Sequence, residues 1–227
     1  MLQRHLDWMG RRFEFVTLDE LASRLARGAK SRRPAVAVTF DDGYGDVYEQ
    51  AYPLLKRRGI PAAVFVVTAL IGTSQVPLYD RLYLALLRGW DEWPSPPAEL
   101  TRIMSALDLR VAGPHGPGVA PADPLGALRF LLEGLPQAAL ERLACALERA
   151  VGVDENLLRE RRPLTWDMLR AMQRAGFTVG SHSRTHPLLT MEEDSVVVQE
   201  LLGSRSELEQ RLGVRPVDDQ GRAGGGE

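Results

Sequence analysis

The run Ala35-Val36-Ala37-Val38-Thr39-Phe40 constrains the fold most: it is of strand length, β-branched and almost wholly apolar, and it stops at Asp41-Asp42-Gly43-Tyr44. A strand with one face in water alternates, whereas a run that is apolar throughout needs cover on both faces, as in a parallel sheet. Ala62 to Val67 repeats the pattern after a helical stretch from about Val47 to Arg58, which Gly59 closes. Together these predict a β-α-β unit with its carboxylates at the carboxyl end of the first strand, where parallel α/β architectures gather their chemistry. Phe177-Thr178-Val179-Gly180 predicts a third strand of the series, after a helix whose start is marked by Thr165 and Asp167. Upstream, Phe13-Glu14-Phe15-Val16 alternates like a short strand, and Thr17-Leu18-Asp19-Glu20 has capping-box spacing for a helix to about Gly28. A last helix is expected from Thr190, with Glu193 completing its capping box, to about Leu212.

Residues 71–163 carry no strand pattern. Tyr79 to Leu87, Ala98 to Leu109, Leu125 to Leu132 and Ala138 to Val151 read as helices, broken up by Pro94, Pro96, Pro97, Pro114, Pro117, Pro121 and Pro124. This reads as a helical insertion within one domain of residues 1–217, because structureless loops of such length are uncommon. Asp218 to Glu227, DDQGRAGGGE, lacks the apolar surface to fold and is expected to be a disordered tail.

Composition narrows the partners. With 44% apolar and 26% charged residues and a net charge of −2, the composition is globular and nothing in it suggests nucleic acid or an anionic membrane as the partner. The lone Cys145 excludes an internal disulfide, and its place beside Leu140, Leu143 and Leu147 predicts a buried, inert thiol. Met1 to Arg12 has charges where a signal peptide needs an apolar run, and the longest apolar stretch is too short to span a membrane. As encoded, the expected location is cytoplasmic.

Two clusters carry chemistry. Asp41 and Asp42 are adjacent carboxylates, and like charges so close repel unless one takes a proton or a cation neutralises it. Strand alternation would send them to opposite faces, but Gly43 is free to take positive φ and bend the strand end so that both reach one cleft. Asp-Gly is also an ordinary capped turn. In His182-Ser183-Arg184-Thr185-His186-Pro187, two histidines four apart can meet one metal across a single helical turn, or simply decorate a surface turn. His5 and His115, the remaining histidines, read as solvent-exposed. Both clusters follow buried strands of one parallel series, so the fold would bring them together. Two histidines and one carboxylate make a facial ligand set for a divalent metal: zinc by preference, with cobalt, manganese or iron also suited. The other carboxylate is left free to act as a base.

Thr39-Phe40-Asp41-Asp42-Gly43-Tyr44 and His182 to Pro187 resemble the first two signature motifs of the polysaccharide deacetylases of the NodB-homology type, carbohydrate esterase family four. VTLDEL, PLLKRRGIPAAVFVV and LTWDMLRAMQRAGFTVGSH resemble that family too, so the likeness covers about residues 11–70 and 160–214. It implies an α/β fold, an irregular (β/α) barrel of about seven strands. It implies Asp41 as catalytic base, with Asp42, His182 and His186 holding the metal, most simply Zn2+ with Co2+ or Mn2+ as alternatives. The implied substrate is an N- or O-acetylated glycan, from which the acetyl group is hydrolysed.

The family's later motifs, an Arg- or Ala-x-Pro-aromatic loop, an Asp-bearing strand and a Leu-x-His segment, find no match after His186. Gly213-Val214-Arg215-Pro216-Val217 looks like the approach to the first of them. Strand patterns occur only near residues 13, 35, 62 and 177, too few to close a barrel. The expectation is an incomplete barrel, truncated near residue 218, with impaired turnover and open sheet edges that favour non-specific self-association. The alternative is an inactive fragment that binds metal or glycan.

Overall fold

The computed structural model describes residues 1–28, 33–113, 116–117, 121–152, 158 and 161–213. The chain divides into two compact units, one of residues 1–74, 162–186 and 198–227, the other of residues 75–161 and 187–197.

The first unit holds the sheets. Helix α1 (Leu2–Gly10) leads to β1 (Glu14–Phe15) and then α2 (Leu18–Ala26). At the start of α2 the Thr17 hydroxyl accepts from the Glu20 N–H at 3.1 Å, one half of the expected capping box. The Glu20 carboxylate does not close the other half; it takes the Arg24 guanidinium at 2.7 Å.

The run from Ala35 to Phe40 is not one strand. It divides into β2 (Ala35–Val36), parallel to β1, and β3 (Val38–Phe40), which belongs to a different sheet. Nor is it buried on both faces: its apolar residues are half-buried and Thr39 is exposed. After β3 the chain turns through Val47–Ala51, a wide π-helical turn, into α3 (Tyr52–Arg58). Gly59 ends α3 at φ 63°, in the left-handed conformation expected of a C-terminal glycine. Strand β4 (Ala62–Val66) follows, and every residue of it is buried.

The second unit is helical. It comprises α4 (Leu78–Glu92), α5 (Pro96–Ala106), a short antiparallel pair β5 (Ala112–Gly113) and β6 (Gly116–Pro117), α6 (Pro124–Gly134) and α7 (Gln137–Val151). The four helices fall where the apolar periodicity puts them, and the β5–β6 pair is an addition that the sequence pattern does not signal. Leu82, Leu86, Leu100, Leu131, Leu143 and Leu147 fill its core. Arg81 of α4 pairs with Glu148 at 2.7 Å and Glu141 at 3.0 Å, both on α7. Its Nη2 also donates to the Cys145 sulfur at 3.6 Å. Cys145 is therefore half-buried beside a guanidinium rather than sealed among leucines. Its helix turns the thiol toward the α4 arginine, a neighbour invisible to helical periodicity.

The chain re-enters the first unit at Arg162 and forms α8 (Trp166–Arg174), where the Thr165 hydroxyl caps the Met168 N–H at 3.2 Å. Strand β7 (Thr178–Ser181) comes next. The final helix α9 is Asp194–Leu212, preceded by a 3-10 turn, Leu189–Met191, that contains Thr190. The helix thus begins four residues later than its capping-box spacing predicts. Leu188 and Glu192 take extended conformations on either side of the 3-10 turn. The tail from residue 218 and His115 lie outside the described residues, while His5 is exposed on α1.

Strands β3, β4 and β7 form one parallel sheet with β4 in the middle. Phe40 pairs with Val64, and Ser181 with Val66. Both chemical clusters leave the same carboxyl end of this sheet, one on each side of β4. The core beneath is made by Leu55, Val64, Val66, Leu164, Leu169, Met172 and Leu208, all almost fully buried. No barrel closes among the described residues. No helix among them is long and apolar enough to cross a membrane.

Candidate metal centre

The turn after β3 rests on two residues in the left-handed region, Asp42 at φ 68° and Gly43 at φ 78°. Gly43 suits the position twice over. A side chain there would be strained, and its Cβ would lie 3.0 Å from Val66 Cγ1 and 3.2 Å from Ile71 Cδ1. The turn is pinned from outside by residues 162–164. The Gly45 N–H donates to the Arg162 carbonyl at 2.8 Å, and the Leu164 N–H to the Gly43 carbonyl at 2.7 Å. The sequence reading assigns the bend to Gly43; Asp42 itself shares it. Aspartate tolerates this conformation better than most residues, at a cost of about 1–3 kcal/mol.

Beyond β7 the histidines sit on an irregular loop, not on the single helical turn that their spacing suggests. Ser183 at φ 62° and His186 at φ 64° are both left-handed. The His182 N–H continues the sheet by donating to the Val66 carbonyl at 2.9 Å. The loop then leans on the end of β4: the Thr68 N–H donates to the Ser183 carbonyl at 3.3 Å and the Ala69 N–H to the Arg184 carbonyl at 2.9 Å. The Ser183 hydroxyl accepts from the His186 N–H at 3.0 Å. Three of the four non-glycine residues with positive φ among the described residues thus belong to this site, where strain characteristically collects.

These backbones bring Asp42, His182 and His186 together. The two Nε2 atoms are 3.0 Å apart, and Asp42 Oδ1 lies 3.4 Å from that of His182 and 3.7 Å from that of His186. A triangle with these sides has a circumscribed radius of about 2.0 Å, so one point lies at ordinary zinc–donor distance, about 2.0–2.2 Å, from all three atoms. The donor set of two imidazoles and one carboxylate, with all three side chains half-buried, fits a divalent cation. The proton affinity of His186 is lowered, first by burial and then by the His182 ring, against the pull of Asp42, Asp41 and Glu200. A neutral imidazole is the form that ligates. Asp41 is exposed at the mouth of the turn and is not part of the donor triangle, although its charge is felt at His186.

One participant escapes the motif reading. Glu200, on α9, is buried at 6% exposure. Its Oε2 accepts from the N–H groups of Arg184 at 2.9 Å and Thr185 at 2.7 Å, and its Oε1 from the Thr185 hydroxyl at 2.7 Å. Ser204, one turn along, meets Ser181 hydroxyl to hydroxyl. Glu200, Ser204 and Leu208 form a buried stripe at i, i+4, i+8. A glutamate on the inward stripe of a helix is the signal that could have revealed it.

A family model described as "Polysaccharide deacetylase" matches residues 28–106 and 131–218, most of the chain. This chain belongs to the polysaccharide deacetylase family. A segment of this chain is 39% identical over 69 residues to the poly-beta-1,6-N-acetyl-D-glucosamine N-deacetylase of Staphylococcus aureus (strain MSSA476), covering 30% of this chain and 23% of that protein. Another alignment, to YxkH of Bacillus subtilis (strain 168), is 35% identical over 71 residues, 31% of this chain and 25% of the relative. Among solved structures, IcaB from Ammonifex degensii superposes with a TM-score of 0.52 at 17% identity, over 94% of this chain and 61% of that one. The Streptococcus pyogenes deacetylase PplD, in complex with acetate, gives 0.50 at 16%, over 93% and 57%. At these identities the likeness establishes a shared fold. The chain spans about a quarter of the curated relatives it matches and about three fifths of these solved ones.

Proposed function

We propose that this chain carries the metal-and-base portion of a glycan deacetylase site. In this reading Asp42, His182 and His186 hold one divalent ion, most simply Zn2+, and Asp41 serves as the base. The donor triangle carries the proposal: three potential ligand atoms from two separate strand ends, spaced to suit one ion. When bound, such an ion supplies Lewis acidity toward an acetyl carbonyl and lowers the pKa of water. The chain's own residues do the rest. Asp41 stands at the mouth of the same turn, outside the donor set, with a carboxylate available to accept the proton of the attacking water. His186, reluctant to take a proton, keeps its lone pair for the ion. The name of the Staphylococcus aureus relative supports an N-acetylated glucosamine polymer as the first substrate to try, with O-acetyl glycans next.

Acetate release from an N-acetylglucosamine oligomer tests this. The expected result is turnover with added Zn2+ or Co2+, abolished by a chelator and cut about 10²–10⁴-fold by Asp41→Ala. A second reading, metal or glycan binding without turnover, is favoured by one observation. Among the described residues, the only histidine besides the two proposed ligands is His5, exposed on α1, so none stands ready as a general acid. Co2+ uptake with no acetate released from N- or O-acetylated oligomers would select that second reading.

A further inference from the structure

We propose that Glu200 is a positioning residue for the metal: from α9 it fixes the loop between His182 and His186 in the one conformation that puts their Nε2 atoms beside Asp42. This rests on the metal reading above. The loop joining the two ligands has little regular structure to hold it, and both Ser183 and His186 take backbone conformations that such residues adopt reluctantly. Something must over-determine it. On one side the end of β4 does so, through Val66, Thr68 and Ala69. On the other side only a group that accepts several hydrogen bonds at once can meet the N–H groups of Arg184 and Thr185 together with the Thr185 hydroxyl. The buried Glu200 carboxylate accepts all three. The helix is fitted to the loop nearby as well. Ser204 meets Ser181, and Gly203 leaves space for the Arg184 side chain, since a Cβ there would lie 3.1 Å from its Cδ. Without Glu200, the N–H groups of Arg184 and Thr185 lose this acceptor, and the loop gains reason to rearrange toward water and draw the imidazoles apart.

The test uses the full chain and Co2+ alone as probe. Affinity is read by competition with a chromophoric chelator, ligand geometry by the visible Co2+ spectrum, and stability of the metal-free chain by urea unfolding. Glu200→Ala should fold yet bind Co2+ about 10–100-fold more weakly than wild type, with an altered spectrum, as removal of an orienting partner does elsewhere. Glu200→Gln should restore affinity to within about threefold, because its carbonyl can accept from both N–H groups and its amide can donate to the Thr185 hydroxyl. Thr185→Val removes the hydroxyl bond to Glu200 and should show a smaller loss in the same direction, which serves if Glu200→Ala does not fold. Folded Glu200→Ala with wild-type affinity and spectrum overturns the proposal, as does Glu200→Gln falling as far as Glu200→Ala. A wild-type chain that takes up no Co2+ overturns the metal reading, and this one with it; a wild-type chain that binds beside an indifferent Glu200→Ala overturns this one alone.

Discussion

Each of the three donors is a single atom at one corner of a small triangle, so the loss of any one should be felt in full. Asp42→Ala, His182→Ala and His186→Ala are each expected to weaken Co2+ or Zn2+ binding by more than about 100-fold, beyond what loss of a supporting group costs. Asp41→Ala should leave affinity nearly unchanged and cut any turnover by about 10²–10⁴-fold. Titration calorimetry beside an acetate assay separates the two patterns, and a reversal would exchange the roles of Asp41 and Asp42. His186 also predicts a pH dependence in the metal-free chain. Its pKa is lowered from the ordinary 6.5, chiefly by burial. The unfolded chain therefore binds the proton first as pH falls. The contribution to stability is complete above pH 6.5 and is lost between there and the lower folded pKa. His186→Gln cannot titrate, so the stability difference between wild type and variant should shrink through that window. A constant difference would mean that the imidazole stays as easily protonated in the folded chain as in the unfolded one.

Helices and turns were legible where a local atom decides them. Thr17 and Thr165 cap α2 and α8 from the positions their spacing predicts, and Gly59 closes α3. Thr165→Ala should cost about 1 kcal/mol by urea denaturation. Gly43→Ala combines a left-handed φ with contact against Val66 and Ile71 and should cost at least about 1 kcal/mol. What stayed hidden was decided at a distance. Ala35 to Phe40 and Ala62 to Val66 have nearly the same composition, yet only the second is fully buried: among the described residues β4 lies between two strands, whereas the first run is split between two sheets and β3 is flanked by one. Composition shows that a strand tolerates burial and cannot show which neighbours arrive. The same limit hid Glu200, whose partners lie 15 and 16 residues away across a turn. The grouping of Asp42, His182 and His186 was readable because motif spacing at a strand end survives without knowledge of the surrounding packing.

At the scale of the chain, two cores form separately, one beneath the three-stranded sheet and one among α4 to α7. Within the first unit, no further strand pairs with the outer edges of β3 or β7 among the described residues. Val198, Leu201 and Leu202 make an apolar stripe on α9, 53%, 49% and 60% exposed. Open edges and apolar stripes both promote association. Sedimentation velocity on the purified chain should show concentration-dependent self-association, reduced by Leu202→Lys. A strictly monomeric chain at high micromolar concentration would mean that these surfaces are too small or too well solvated to pair. Val66 gives the parallel sheet another consequence, one that bears on ion choice. It donates no electron pair to an ion, yet its carbonyl anchors the His182 backbone and its side chain bears on Gly43 beside Asp42. Under the proposed metal reading, trimming it to alanine should let the two strand ends drift and narrow any preference for Zn2+ over the larger Mn2+, as competition between the two ions would show.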